Sequence, residues 1–87
     1  KITSNRESGF GRYDVMLEPF DKSKTAYILE FKVHNPRTEA SLEETVSKAL
    51  LQIDEKNYDA ELIADGFKKE QICHFGFAFE GKHVLIG

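Results

Sequence analysis

Two alternating stretches on either side of a short polar turn constrain the fold of this chain more than any other feature. Gly11 to Phe20 alternates, with Tyr13, Val15 and Leu17 on one side, and Thr25 to Val33 is dense in aromatic and β-branched residues. Runs of this kind form strands. Asp21-Lys22-Ser23 between them is a polar turn. A hairpin closed by those three residues pairs positions whose numbers sum to 44. Tyr13 then faces Phe31, Val15 faces Leu29 and Leu17 faces Tyr27. Every pair is apolar, so this face is expected to pack on the core. The other face sets Met16 against Ile28, Asp14 against Glu30 and Arg12 against Lys32. A slip by two residues keeps the same faces, so the faces are specified more firmly than the register.

The rest of the chain supplies partners for that hairpin. Lys1 to Asn5 reads as the tail of another strand. Ser41-Leu42-Glu43-Glu44 is a capping box, followed by an apolar stripe of Leu42, Val46, Ala49, Leu50 and Ile53. A shorter helix covers Tyr58 to Ala64, with Gly66 as its stop. Gln71 to Phe79 is a third strand, and Glu80-Gly81-Lys82 turns into a last one over Val84 to Ile86. Pro19 and Pro36 fall at element boundaries. The order is β-β-α-α-β-β. Strands joined through helices in one sheet run parallel, with a right-handed crossover. The expectation is an α/β fold with a mixed sheet and helices packed on it.

Composition sets the outer limits. Residues 1–87 make one domain, and 40% hydrophobic with 31% charged residues suits a packed core. No apolar run is long enough to span a membrane. Cys73 is the sole cysteine, so no intrachain disulfide or multi-cysteine zinc site forms, and a reducing cytoplasmic setting fits. The first residue is Lys1 rather than Met, which reads as a piece of a longer chain. The net charge of −3 argues against a strong free-standing nucleic-acid binder.

The second hairpin face carries the chemistry. Two carboxylates directly across a strand pair repel each other, as do Arg12 and Lys32 one pair further on. Charged residues two apart on a strand are usually its wet face. Here Ile28 and Met16 flank the charges, which points to a covered face, and a covered charge needs a partner. A divalent cation between Asp14 and Glu30 resolves the conflict, because Mg²⁺ is commonly held by one or two carboxylates. Lys32 lies two residues beyond Glu30 on the same face, where an ammonium neutralises a phosphate oxygen or orients an attacking water.

These residues resemble a known signature. Asp14, a hairpin, then Glu30-Phe31-Lys32 is similar to the PD-(D/E)XK nuclease superfamily. Ser4 to Asp14, Ile28-Leu29-Glu30-Phe31-Lys32, Ala49-Leu50-Leu51-Gln52-Ile53 with Tyr58, and Phe75-Gly76-Phe77-Ala78-Phe79 with Gly81-Lys82 resemble its bacterial branch found at the carboxyl end of AAA-ATPase-like proteins. The resemblance implies a restriction-endonuclease-like fold, with the amino-terminal helix and most of the first strand missing from this stretch. It implies Asp14, Glu30 and the Phe31 carbonyl as metal ligands, with Mg²⁺ or Mn²⁺ as cofactor. Lys32 would be the catalytic lysine, alongside Asp14 and Glu30. Gln52, on the following helix, would match the family's glutamine that approaches the substrate; from the residues themselves, Arg12 reads equally as a phosphate contact or an edge-strand solubility residue, and Tyr58 reads as packing before substrate contact. The implied activity is phosphodiester hydrolysis in nucleic acid, DNA more than RNA, with an upstream AAA-ATPase-like domain as partner. The alternative is a catalytically silent regulatory or assembly module of such a protein. Tyr13 stands where the family signature has Pro; Glu7 is a candidate to replace a carboxylate from the missing helix, although a loop glutamate more often is simply solvated.

Other features have plainer readings. Gly9 and Gly11 precede a strand rather than opening a helix, so they do not form a phosphate-binding loop. His34, His74 and His83 are scattered and lack metal spacing; His34 directly follows the second strand, a place near the site, but reads first as a surface residue. Cys73 and His74, adjacent on a strand, point to opposite faces and form no catalytic pair; Cys73 reads as a small core residue. Phe75, Phe77 and Phe79 share one face, read as core. An incomplete sheet edge invites homodimerisation by strand addition.

Overall fold

In the computed structural model, the chain pairs its strands in sequence order across one sheet. The structure describes residues 2–7 and 12–87, and within the first two strands the side chains of Ile2 and of Val15 onward. The elements are β1 (Ile2–Glu7), β2 (Arg12–Leu17), β3 (Ala26–Val33), α1 (Leu42–Lys56), α2 (Asp59–Ala64), β4 (Ile72–Glu80) and β5 (His83–Ile86). A single 3₁₀ turn, Lys69–Gln71, leads into β4. The sheet has five strands in the order β1-β2-β3-β4-β5. Only β3 and β4 run parallel. The order and the mixed sheet agree with the sequence reading, and β1 is the strand whose tail was expected over Lys1 to Asn5.

The hairpin register is the one expected from a turn at Asp21–Ser23: Asp14 opposite Glu30, Val15 opposite Leu29 and Met16 opposite Ile28. The turn is held locally, since Asp21 Oδ1 accepts hydrogen bonds from both the backbone N–H and the hydroxyl of Ser23. Helix α1 starts where the capping box placed it. Ser41 Oγ accepts from the Glu44 N–H at 3.2 Å, but Glu44 Oε2 reaches back one residue further than the motif requires, to the Ala40 N–H. The helix ends on Asn57 in the left-handed conformation (φ 54°), a role suited to a short polar residue.

The covered face is the reverse of the one expected. Helices α1 and α2 lie on the side of Met16, Ala26, Ile28 and Ala78, where Ile53, Tyr58, Leu62 and Phe67 complete the core. The face of Tyr27, Leu29 and Phe31 carries no helix among the described residues. Phe75, Phe77 and Phe79 belong to that second face and not to the core. They pack against rings of β3 instead, Phe75 stacked on Tyr27 and Phe77 tilted against Phe31, and Tyr27 and Phe75 remain exposed. Cys73 shares this face and is exposed, against the expectation of a core residue. The physical reason is that each face of β3 offers apolar residues, Ala26 and Ile28 beside Glu30 and Lys32 on one side and Tyr27, Leu29, Phe31 and Val33 on the other. Alternation separates two sides but does not say which one a helix will choose.

Gly76 explains how closely α1 approaches the sheet. A Cβ on it would stand 3.0 Å from the Val46 carbonyl oxygen and 3.1 Å from Ala49 Cβ. Gly76 is the β4 neighbour of Glu30, so the helix comes nearest the sheet beside the hairpin acid.

Candidate functional site

Strand alternation carries Glu30 and Lys32 to the same side as Ala26 and Ile28, under α1. Glu30 is fully buried, at 0% exposure. The β2–β3 register sets Asp14 directly opposite it. The side chains of Arg12 and Asp14 lie outside the described residues. Burying an ionised carboxylate costs several kcal/mol unless charge and hydrogen bonds compensate it. A second acid at the facing register position raises the demand for a cation there.

Lys32 extends on the same face beside Ala78. Its Nζ lies 3.5 Å from Glu39 Oε2, and its side chain is only 18% exposed. Glu39 comes from the Asn35–Ala40 segment between β3 and α1, and its side chain is 1% exposed. Its Oε1 accepts hydrogen bonds from the Asn35 N–H and the Thr45 hydroxyl, each at 2.8 Å. Its Oε2 lies 3.4 Å from Lys48 Nζ. Burial by itself would raise the Glu39 pKa. The bonds from Asn35 and Thr45 and the charges of Lys32 and Lys48 outweigh it and hold the carboxyl at about 2. His34 is not on the surface: its side chain is 7% exposed, Nδ1 is 2.7 Å from Thr45 Oγ1, and Nε2 faces Glu80. The Thr45 hydroxyl gives its proton to Glu39, so His34 Nδ1 is the donor to Thr45.

Gln52 lies on α1, with its amide Nε2 buried and without a hydrogen-bond partner among the described residues. An amide in that state is open to an acceptor that the described residues do not provide. Tyr58 is elsewhere, 8% exposed and packed in the core with Met16, Ile53 and Leu62. Phe31 lies on the opposite, aromatic face of β3, and its backbone carbonyl sits between the two charged residues in sequence.

A sequence model of the PD-(D/E)XK nuclease superfamily matches residues 1–87. The chain belongs to the PD-(D/E)XK nuclease superfamily. No curated protein and no solved structure matches it significantly. The mixed sheet with two helices on one face is consistent with the restriction-endonuclease-like fold of that superfamily. PD-(D/E)XK nucleases generally use divalent metals. Among the described residues no group of three or more His, Cys, Asp or Glu side chains is arranged to hold one. The donors that the PD-(D/E)XK signature marks are the Glu30 and Asp14 carboxylates and a backbone carbonyl, all hard oxygens suited to Mg²⁺ or Mn²⁺. By donor chemistry, the residues present fit the ion.

Sequence reading missed Glu39, Thr45 and Lys48. Glu39 lies in Asn35-Pro36-Arg37-Thr38-Glu39-Ala40, which has the composition of a solvated loop. The available signal was Thr45, a hydroxyl beside Val46 and Ala49 on the buried side of the helix. A polar residue there needs a buried partner.

Proposed function

We propose that this domain is a metal-dependent nuclease that hydrolyses phosphodiester bonds, in DNA more than RNA. The observation that carries the reading is the buried Glu30 placed by register across from Asp14, with Lys32 on the same face. Asp14, Glu30 and the Phe31 carbonyl would hold Mg²⁺ or Mn²⁺. When bound, the ion would supply Lewis acidity at the phosphate and a water acidified enough to attack at neutral pH. The chain's own groups do the rest. The Lys32 ammonium offsets charge on a phosphate oxygen and orients the attacking water. Burial under α1 excludes bulk solvent and strengthens each of these interactions. The Gln52 amide offers a donor to the substrate, and Arg12 offers a contact to a flanking phosphate. Tyr58, placed in the core, would act on substrate only through the position of α2.

The wider setting belongs to the same proposal. An upstream AAA-ATPase-like domain would be the partner in the full protein, in the cytoplasm, and residues 1–87 would be part of a single nuclease-like domain. No helix among the described residues is long and apolar enough to cross a membrane. The test is cleavage of plasmid and linear DNA in Mg²⁺ by the natural full-length protein. Lys32→Ala is expected to slow cleavage about 10²–10³-fold, the usual effect of deleting one group that stabilises transition-state charge. Equal cleavage by both removes Lys32 from the mechanism. Absence of cleavage, with divalent-ion binding unchanged in Asp14→Ala, favours the silent assembly module.

A further inference from the structure

We propose that Glu39 is the positioning residue of this site, fixing where the Lys32 ammonium sits. The inference rests on the nuclease reading for its consequence, but its geometry stands independently. A lysine ammonium is a point charge on a flexible four-carbon stem, so a strand alone does not define its place. Glu39 supplies that definition because its two oxygens have separate jobs. Oε1 is taken up by two neutral donors, the Asn35 N–H and the Thr45 hydroxyl, both at 2.8 Å. These bonds lock the plane of the carboxylate. Oε2 is left facing Lys32 Nζ at 3.5 Å and Lys48 Nζ at 3.4 Å.

The donors are themselves held. Asn35 opens a turn in which its side chain accepts from the Arg37 N–H and its carbonyl accepts from the Thr38 and Glu39 N–H groups. Thr45 sits in α1 and takes a hydrogen bond from His34 at 2.7 Å. The turn after β3 and the start of α1 therefore both converge on one carboxylate. Lys32 and Lys48 set two ammonium groups against the single Glu39 carboxylate. Glu39 touches Lys32 and not the reacting atoms in this arrangement.

Trace acetylation at one fixed pH, read by peptide mass spectrometry, tests this without any need for cleavage. The amine of Lys32 is compared with that of Lys82, which is exposed. In the natural chain Lys32 is expected to react more slowly than Lys82. Glu39→Gln, which keeps size but removes charge, should raise Lys32 labelling about tenfold, the scale of losing one partly buried ion pair. Glu39→Asp should restore part of the protection. In the cleavage assay Glu39→Gln should lower kcat about 10–10²-fold with KM little changed, the pattern of a displaced catalytic group rather than lost binding. Unchanged Lys32 labelling in a folded Glu39→Gln chain overturns the proposal, as does a change confined to KM. Should Glu39→Gln fail to fold by circular dichroism, Thr45→Val is read instead. It keeps every charge and removes only the hydroxyl that aims the carboxylate, and Lys32 labelling identical to the natural chain again overturns the proposal. A natural protein that never cleaves ends the nuclease reading and leaves the labelling result to decide the role of Glu39.

Discussion

Gly76→Ala tests how α1 is seated over the acid pair. The added Cβ would meet the Val46 carbonyl oxygen at 3.0 Å, Ala49 Cβ at 3.1 Å and Leu50 Cγ at 3.5 Å. The first contact is with helix backbone, which yields only if α1 moves as a body by a few tenths of an ångström. Inserting a methyl group into such a contact costs about 1–3 kcal/mol. Replacing glycine in a strand returns roughly 0.5–1 kcal/mol of backbone entropy. The net expectation is a loss of about 1–2 kcal/mol. For a domain of this size that lowers Tm by roughly 5–15 °C. Urea and thermal unfolding followed by circular dichroism measure it. Ala49→Gly on top of Gly76→Ala should not rescue stability, because the Val46 carbonyl contact remains and glycine in a helix interior costs about 1 kcal/mol itself. A Gly76→Ala chain as stable as the natural one would refute the close approach of α1 to β4. Gly81→Ala is the control: nothing lies within 4 Å of its Cβ, and only its positive φ of 58° opposes the change.

Three other outcomes follow from the same geometry. Glu39 has its pKa depressed from the model-compound value of 4.5 to about 2 in the folded chain. Its contribution to stability is therefore present above about pH 4.5 and is lost as pH falls from there toward 2. Urea midpoints measured between pH 6 and pH 2 should show this decline, and Glu39→Gln should flatten it. Ser41→Ala removes the cap that accepts from the Glu44 N–H and should cost about 1 kcal/mol by urea unfolding, with Ser41→Asp close to neutral. Homodimerisation through a sheet edge would appear as a doubled mass in analytical ultracentrifugation at high concentration, and a monomer there excludes it.

Local chemistry, written in the residues themselves, determined the two faces of the hairpin, the start of α1 and the parallel pairing of β3 with β4. Alternation divides the hairpin into its two faces, Ser41 with Glu44 caps the helix, and strands separated by helices return in the same direction. It also placed Asp14 and Glu30 on one face, while the pairing of one directly against the other, which a slip by two residues would undo, was settled by the structure. Tertiary structure alone decided which face the helices cover. One side of β3 carries Ala26 and Ile28 together with Glu30 and Lys32, the other Tyr27, Leu29, Phe31 and Val33; the helices cover the less apolar of the two, so period-two alternation divides the faces without saying which one is covered. The choice was made by the fit of α1 over Gly76 and Ala78, which have the smallest side chains on β4. Burial of His34 and Glu39 was likewise a long-range outcome. Their neighbours in sequence are those of a loop, and only the return of α1 across the end of β3 closes Thr45 and Lys48 over them.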